Sequence, residues 1–234
     1  FQNRLCQIPS ACYNFTQSAI VMGNTIQQVL AALTTYPGNL VYHMALAFSV
    51  AGALQAAHSL WRDHEFPQGL RMVVGLGILL GLRFTLFLSA GLVQQGLANS
   101  HVLLPIFDRA VTSLSLIVIL WLWNFPEPSR TADAASGLLG LFTIILSALS
   151  WALWNGRYSE LSFNAFWLDL GWEIFAIILI TLGIILLLVR RPNGWQYGLG
   201  MLLVSLLGHT LHLLFPLTDS DYPGFVRLAQ MSVY

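Results

Sequence analysis

Hydrophobic residues in this chain fall into long blocks separated by short polar breaks, a pattern much longer in period than an amphipathic strand or surface helix gives. Six blocks, at about 40–61, 71–96, 102–124, 134–154, 164–189 and 195–215, reach the roughly 20 apolar residues that a helix needs to cross about 30 Å of hydrocarbon. A seventh starts near Gly224, in GFVRLAQMSVY. The connectors RDHEFPQG, QQGLANSH, NFPEPSRTAD, NGRYSELS, RRPNG and PLTDSDYPG are short and hold the Gly, Pro, Asn and Asp residues that punctuate helices. Lipid offers no water to backbone N–H and C=O groups, so such blocks must satisfy them internally, as helices do. The expected fold is all-α: a polytopic transmembrane bundle of six complete spans plus a seventh.

Residues 1–38 form a separate outer N-terminal segment ahead of the bundle, which occupies 39–234. Phe15, Ile20, Ile26, Val29, Leu30 and Leu33 make an uneven apolar stripe on a helix that should end before Pro37-Gly38. Such a helix suits an interfacial position or a lid over the bundle.

Composition strengthens the membrane reading. The chain is 56% hydrophobic and 9% charged, with a mean hydropathy of +0.70, whereas soluble domains carry about 25% charged residues. Ten arginines balance ten acidic residues, so a basic nucleic-acid surface and a polybasic lipid-binding tail are both excluded. Eight Trp, seven Tyr and fourteen Phe suit aromatic belts at two lipid interfaces, and the bilayer is the expected partner. Arg62 and Arg71, Arg130, and Arg190 with Arg191 flank the first, third and fifth connectors; the second and sixth have none and the fourth has Arg157. By the positive-inside rule the odd connectors are cytoplasmic and the N-terminus is outside.

Chemistry must come from the few polar groups inside the spans, where a charge is costly and faces the bundle interior. Asp108 and Arg109 fall about 10 Å into the third span, and Asp169 falls similarly deep in the fifth. Glu173 shares the face of Asp169 near the midplane. Arg83 lies mid-span and Arg227 about one turn into the seventh. Three arginines thus oppose three carboxylates, all from the midplane outward, above a half that is almost purely apolar. The expectation is an outer polar chamber whose six charges either pair with one another to hold the bundle together or also bind a small polar ligand, with Trp167 and Trp172 on its wall. The dry inner half and the absence of paired broken helices argue against transport.

His43 in the first span and His209-x-x-His212 in the sixth place imidazoles at matched depth, and His209 with His212 shares one face. Ligation of haem or chlorin, or of a metal with a nearby carboxylate, is compatible with them, as is hydrogen bonding inside the chamber. Cys6 and Cys12, the only cysteines, suit a disulfide-closed outer loop. Trp61, Trp121, Trp123, Trp151, Trp154 and Trp195 read as interface anchors. Gly75-x-Gly77-x-x-x-Gly81 and Gly194-x-x-x-Gly198-x-Gly200 read as helix-packing signals. No nucleophile–base pair is visible, and no catalytic residue is expected.

The stretches LPIFDRAVTSLSLIVILWLWNFPEPSR, FWLDLGWEIFAIILITLGIILLLVRRPNGW, GHTLHLLFP and DYPGFVRLAQMSVY, within residues 40–234, resemble the multi-span N-terminal sensor region of bacterial membrane histidine kinases. That resemblance implies a sensory input module of the bacterial cytoplasmic membrane, followed by PAS or GAF modules and a kinase output domain. The chain begins at Phe1 without Met and ends within a fresh apolar stretch, so removed upstream and continuing downstream sequence are expected. The alternative expectation is a structural or cofactor-holding subunit of a larger respiratory or photosynthetic membrane complex.

Overall fold

The computed structural model describes residues 25–64, 67–157 and 161–233; Cys6, Cys12, Phe15 and Ile20 lie outside them. Helix α1 covers 25–34, α2 Gly38–His64, α3 Pro67–Gln94, α4 Ser100–Asn124 and α5 Arg130–Trp154. A single 3-10 turn at Phe163–Ala165 precedes α6 (Trp167–Arg190), α7 (Trp195–Leu214) and α8 (Gly224–Val233). Among the described residues there is no strand. Helices α2 to α7 are each long and apolar enough to cross a membrane, so the protein is a multi-pass helical membrane bundle.

Local chemistry sets the helix ends, and it accounts for two of the departures from the hydropathy blocks. Helix α5 starts four residues before 134 because Ser129 caps it, its Oγ accepting from Ala132 N at 3.4 Å, and Asp133 follows in the first turn. Helix α6 starts three residues after 164 because 163–165 close a 3-10 turn and Phe166 is extended. Asp169 therefore sits in the first turn of its helix, shallower than its block position implies. At α4 the Asn99 side chain caps the helix by accepting from His101 N. Pro105, inside the same helix, has no N–H to give the His101 carbonyl; the Trp154 indole gives one instead, at 2.6 Å. Trp154 is thus a fully buried brace between α4 and α5 rather than an interface anchor.

Neighbouring helices run α2, α3, α4, α6, α7, α8 and back to α2, while α5 packs chiefly on the outside of α4. Helix α4 is the most enclosed span and α5 the least. Val50, Leu79, Leu116, Ile119, Ile180 and Leu202 form the main apolar core, and Ile106, Trp154, Phe163 and Trp172 form a second under the 3-10 turn. Leu138, Leu141, Ile145 and Leu149 of α5 and Ile174, Ile178, Leu182 and Ile185 of α6 are exposed. Apolar faces of that extent mark a lipid contact surface. At the end carrying most arginines, Asp133 of α5 meets Arg71 of α3 at 2.7 Å and the Trp121 indole of α4 at 2.7 Å.

Small residues permit the closest approaches, though not all those in the two glycine patterns do so. A Cβ at Gly75 would meet the Leu122 side chain and one at Gly198 the Trp123 ring, but Gly77, Gly81 and Gly200 face open space. Helices α7 and α8 approach closely at Gly208, where a Cβ would lie 2.4 Å from Ala229 Cβ and 3.1 Å from Phe225 O on α8. Gly208→Ala is expected to destabilise the bundle by about 1–3 kcal/mol through overpacking. Gly200→Ala is expected to leave it unchanged or slightly more stable. Thermal unfolding of the two purified variants in one detergent checks the contrast.

Candidate functional site

Four helices converge their charges at the end of the bundle that carries the 95–99, 155–166 and 215–223 connectors. Consecutive helical residues point about 100° apart, so Asp108 and Arg109 of α4 address different neighbours. Asp108 turns toward α8 and Arg109 toward α6. On α6, Asp169 and Glu173 lie one turn apart on one face, and on α7 His209 and His212 do the same. Asp169 occupies the N-terminal turn of α6 and His212 the C-terminal turn of α7, where helix dipoles favour a carboxylate and an imidazole respectively. None of Arg83, Asp108, Arg109, Asp169, Glu173 and Arg227 is more than 4% exposed.

One half of the chamber centres on Arg109. Its Nε and Nη2 donate to Asp169 Oδ1 at 2.8 and 2.5 Å, and Nη2 also donates to Asn164 Oδ1 at 2.7 Å. Glu173 Oε1 stands 3.8 Å from Arg109 Nε, too far for a hydrogen bond. His212 Nε2 lies 3.0 Å from Asp169 Oδ2, and His209 Nδ1 lies 2.6 Å from Glu173 Oε2. With neutral imidazoles, two carboxylates here face one guanidinium. A cavity of about 300 Å³, walled by Asn164, Phe166, Trp167, Asp169, Glu173 and His212, adjoins this half.

The other half centres on Arg227. Its Nη2 and Nε donate to Asp108 Oδ2 at 3.1 and 3.3 Å, and Nη1 donates to Leu33 O at 2.7 Å and Asn39 Oδ1 at 2.6 Å. The guanidinium also lies over the Tyr222 ring at 4.1 Å and the Tyr42 ring at 4.9 Å. Gln230, one turn on from Arg227, accepts from Tyr42 Oη and, at 3.2 Å, from Arg83 Nη1, and donates to Thr112 Oγ1 at 3.1 Å. His43 is buried against Tyr42, within electrostatic reach of Arg227, Asp108 and Arg83. Asp108 Oδ2 and Arg109 Nη1, 3.8 Å apart, are where the halves meet.

Two connectors close the chamber. Asn164 Nδ2 donates to the carbonyls of Leu217 and Tyr222 at 3.0 and 2.9 Å, so one side chain ties the 3-10 turn, the 215–223 connector and Arg109 together. Asp221 accepts from Phe163 N at 2.7 Å and contacts His101 Nδ1 at 2.5 Å, and Ser162 Oγ donates to Thr218 O. Burial pushes the Tyr222 phenol up to about 12, with the nearby Arg227 guanidinium pulling the other way. The folded protein therefore holds this proton more tightly than the unfolded chain, whose tyrosine ionises near pH 10. Stability from this group is complete below about pH 10 and is lost as pH rises toward about 12. Tyr222→Phe should flatten that alkaline decline, as read from unfolding midpoints across the same pH range.

Every charged residue singled out from the sequence enters the chamber, with Arg83 reaching it through Gln230. Trp172 lies buried in the second core beside it, whereas Trp167 is 62% exposed and lines the cavity. Asn39, Tyr42, Thr112, Asn164 and Gln230 join the network without having been singled out. Being uncharged, they stand out little; the usable signal for Gln230 is its spacing of three from Arg227. Among the described residues, His43 Nδ1, Asp108 Oδ1, Arg109 Nη1, Trp172 Nε1 and His212 Nδ1, in or beside the chamber, have no hydrogen-bond partner. Fold and site together define a multi-pass membrane protein with an ionic chamber buried at one end. No known family, curated protein or solved structure matches the chain.

Proposed function

We propose that this chain is the membrane-embedded sensory input module of a bacterial signalling protein, lying in the cytoplasmic membrane with its chamber on the outer side. The observation that carries the reading is the enclosure of six ionisable side chains beside a cavity, with Asp108 Oδ1 and Arg109 Nη1 lacking a hydrogen-bond partner among the described residues. Buried ion pairs at best roughly balance the loss of hydration against well-packed apolar side chains, so stability alone gives little reason for them. Ionisable groups at membrane depth point to function. Arginine placement favours the outer side for the chamber, and the histidine-kinase resemblance favours signalling.

A ligand that engages the Arg109 half alters the field on Arg109, which meets Asp108 and through it Arg227 on α8. Signalling then requires that the ligand bind one arrangement of these pairs better than another. Helix α8, docked by Arg227 and Gln230, is the element whose position such a preference would change.

The test joins the chain through α8 to a reporter kinase domain. Asp108→Asn and Arg227→Gln break the same pair, so both should shift basal autophosphorylation in the same direction by about fivefold or more, with membrane insertion unchanged. Unchanged output from both, at normal expression, would sink the reading. A tetrapyrrole-holding subunit draws less support, since His209 and His212 each already engage a carboxylate; a Soret or chlorin band abolished by His212→Ala would reverse that preference.

A further inference from the structure

Asp169, Glu173 and His212 each offer a ligand atom, all within 4.8 Å of one another, and all three side chains are buried. Their arrangement goes beyond a cluster of acids. Each carboxylate has one oxygen held by an outer partner and the other turned inward. Asp169 gives Oδ1 to Arg109 and leaves Oδ2 beside His212 Nε2. Glu173 gives Oε2 to His209, while Oε1 stands 3.8 Å from Arg109 Nε. Holding one oxygen to aim the other is how proteins orient metal-binding carboxylates. The 3.0 Å separation of Asp169 Oδ2 and His212 Nε2 is also close to the edge of a coordination polyhedron with bonds of about 2.0–2.1 Å.

The donor set points the same way. Two carboxylates and two imidazoles converge here with one guanidinium, a set that a metal cation fits. His212, 1% exposed, turns Nε2 to Asp169 Oδ2 at 3.0 Å, so that nitrogen is the one it offers. The adjoining cavity gives room for a further ligand at an open coordination position.

We propose that Asp169, Glu173 and His212 form a site for a divalent transition-metal ion of the zinc class, set between α6 and α7, and that this ion is the ligand of the chamber. The metal site stands on its own geometry; its role as signal rests on the sensory reading above. One nitrogen and two oxygens suit zinc better than magnesium or calcium, which favour all-oxygen shells. Arg109, Asn164 and His209 are then positioning residues. Metal binding draws Asp169 Oδ2 and Glu173 Oε1 together and so changes the load on Arg109.

The test is equilibrium zinc binding to the whole chain in lipid nanodiscs, with bound metal counted and the zinc X-ray absorption edge recorded. One zinc per chain is expected, with only N and O neighbours at about 2.0–2.2 Å. Glu173→Gln and His212→Gln should each abolish stoichiometric binding, and His209→Ala should weaken it about 10- to 100-fold. Cobalt substitution should give visible d–d bands in the wild type that these variants lose, with helical circular dichroism retained. Four outcomes overturn the site: no stoichiometric zinc, binding indifferent to Glu173→Gln and His212→Gln, preference for magnesium or calcium, or sulfur at about 2.3 Å. Sulfur would assign the metal to Cys6 and Cys12. In the reporter fusion, stoichiometric zinc with no change in output would sink the ion's role as signal and leave the site standing. Output changes from Asp108→Asn without zinc binding would sink the site and the ion's role together and leave the sensory reading standing.

Discussion

Arg109→Met is expected to destabilise the bundle by about 3–5 kcal/mol, the usual consequence of removing one member of a buried ion pair. The side chain is enclosed and gives two hydrogen bonds to Asp169 and one to Asn164. Without it, Asp169 and Glu173 remain as two buried carboxylates with only imidazoles beside them, and the lid connectors lose their tie through Asn164. The triple variant Arg109→Met, Asp169→Asn, Glu173→Gln should recover much of the loss, because charge without compensation, rather than lost packing, dominates. Unfolding midpoints in detergent across single and triple variants give the comparison. A single variant as stable as wild type, or a triple variant less stable than the single, would mean that the pair carries no such energy.

The second large effect is expected at Arg227. Its guanidinium gives four hydrogen bonds to three acceptors on three elements: Asp108 on α4, Leu33 on α1, and Asn39 on α2. Arg227→Met leaves Asp108 buried without its counter-charge and Leu33 O without its donor, again a loss on the order of 3–5 kcal/mol. Here the damage should be local before it is global. Amide hydrogen exchange is expected to accelerate in 224–233 and 25–34 while the centre of α4 stays protected. Arg227→Lys should rescue little, since a compact ammonium cannot reach Asp108, Leu33 O and Asn39 in the planar fork that arginine presents. Full rescue by lysine would reduce the residue to a point charge.

Much of this architecture is legible from hydropathy, because in lipid the length of an apolar block and the helix it forms are the same constraint. All six blocks became helices within a few residues of their expected limits. The errors came where local chemistry overrode hydropathy. Ser129 started α5 early, and the Phe163–Ala165 turn started α6 late and so moved Asp169 into the first turn. Trp154 looked like an interface anchor because sequence does not reveal that Pro105 frees a carbonyl four residues back. The charged members of the chamber were legible because a charge at membrane depth needs a counter-charge. Which charge pairs with which was not: neighbours Asp108 and Arg109 separate onto different helices only through the rotation of α4. Asn39, which ties the start of α2 to the network, lies just outside an apolar block and Asn164, which ties the lid, is the first residue of one; neither carries a charge to betray it.

The bond from Arg227 to Leu33 O spans 194 residues of sequence. At ordinary translation rates of about 5–20 residues per second, the acceptor leaves the ribosome roughly 10–40 s before its donor exists. Throughout that interval Asp108 sits in the membrane without the guanidinium that neutralises it, and α1 has no anchor on α8. The ionic end of the molecule is therefore the last part to assemble, and a nascent chain stalled before Arg227 would hold its helices in the bilayer with that end still open.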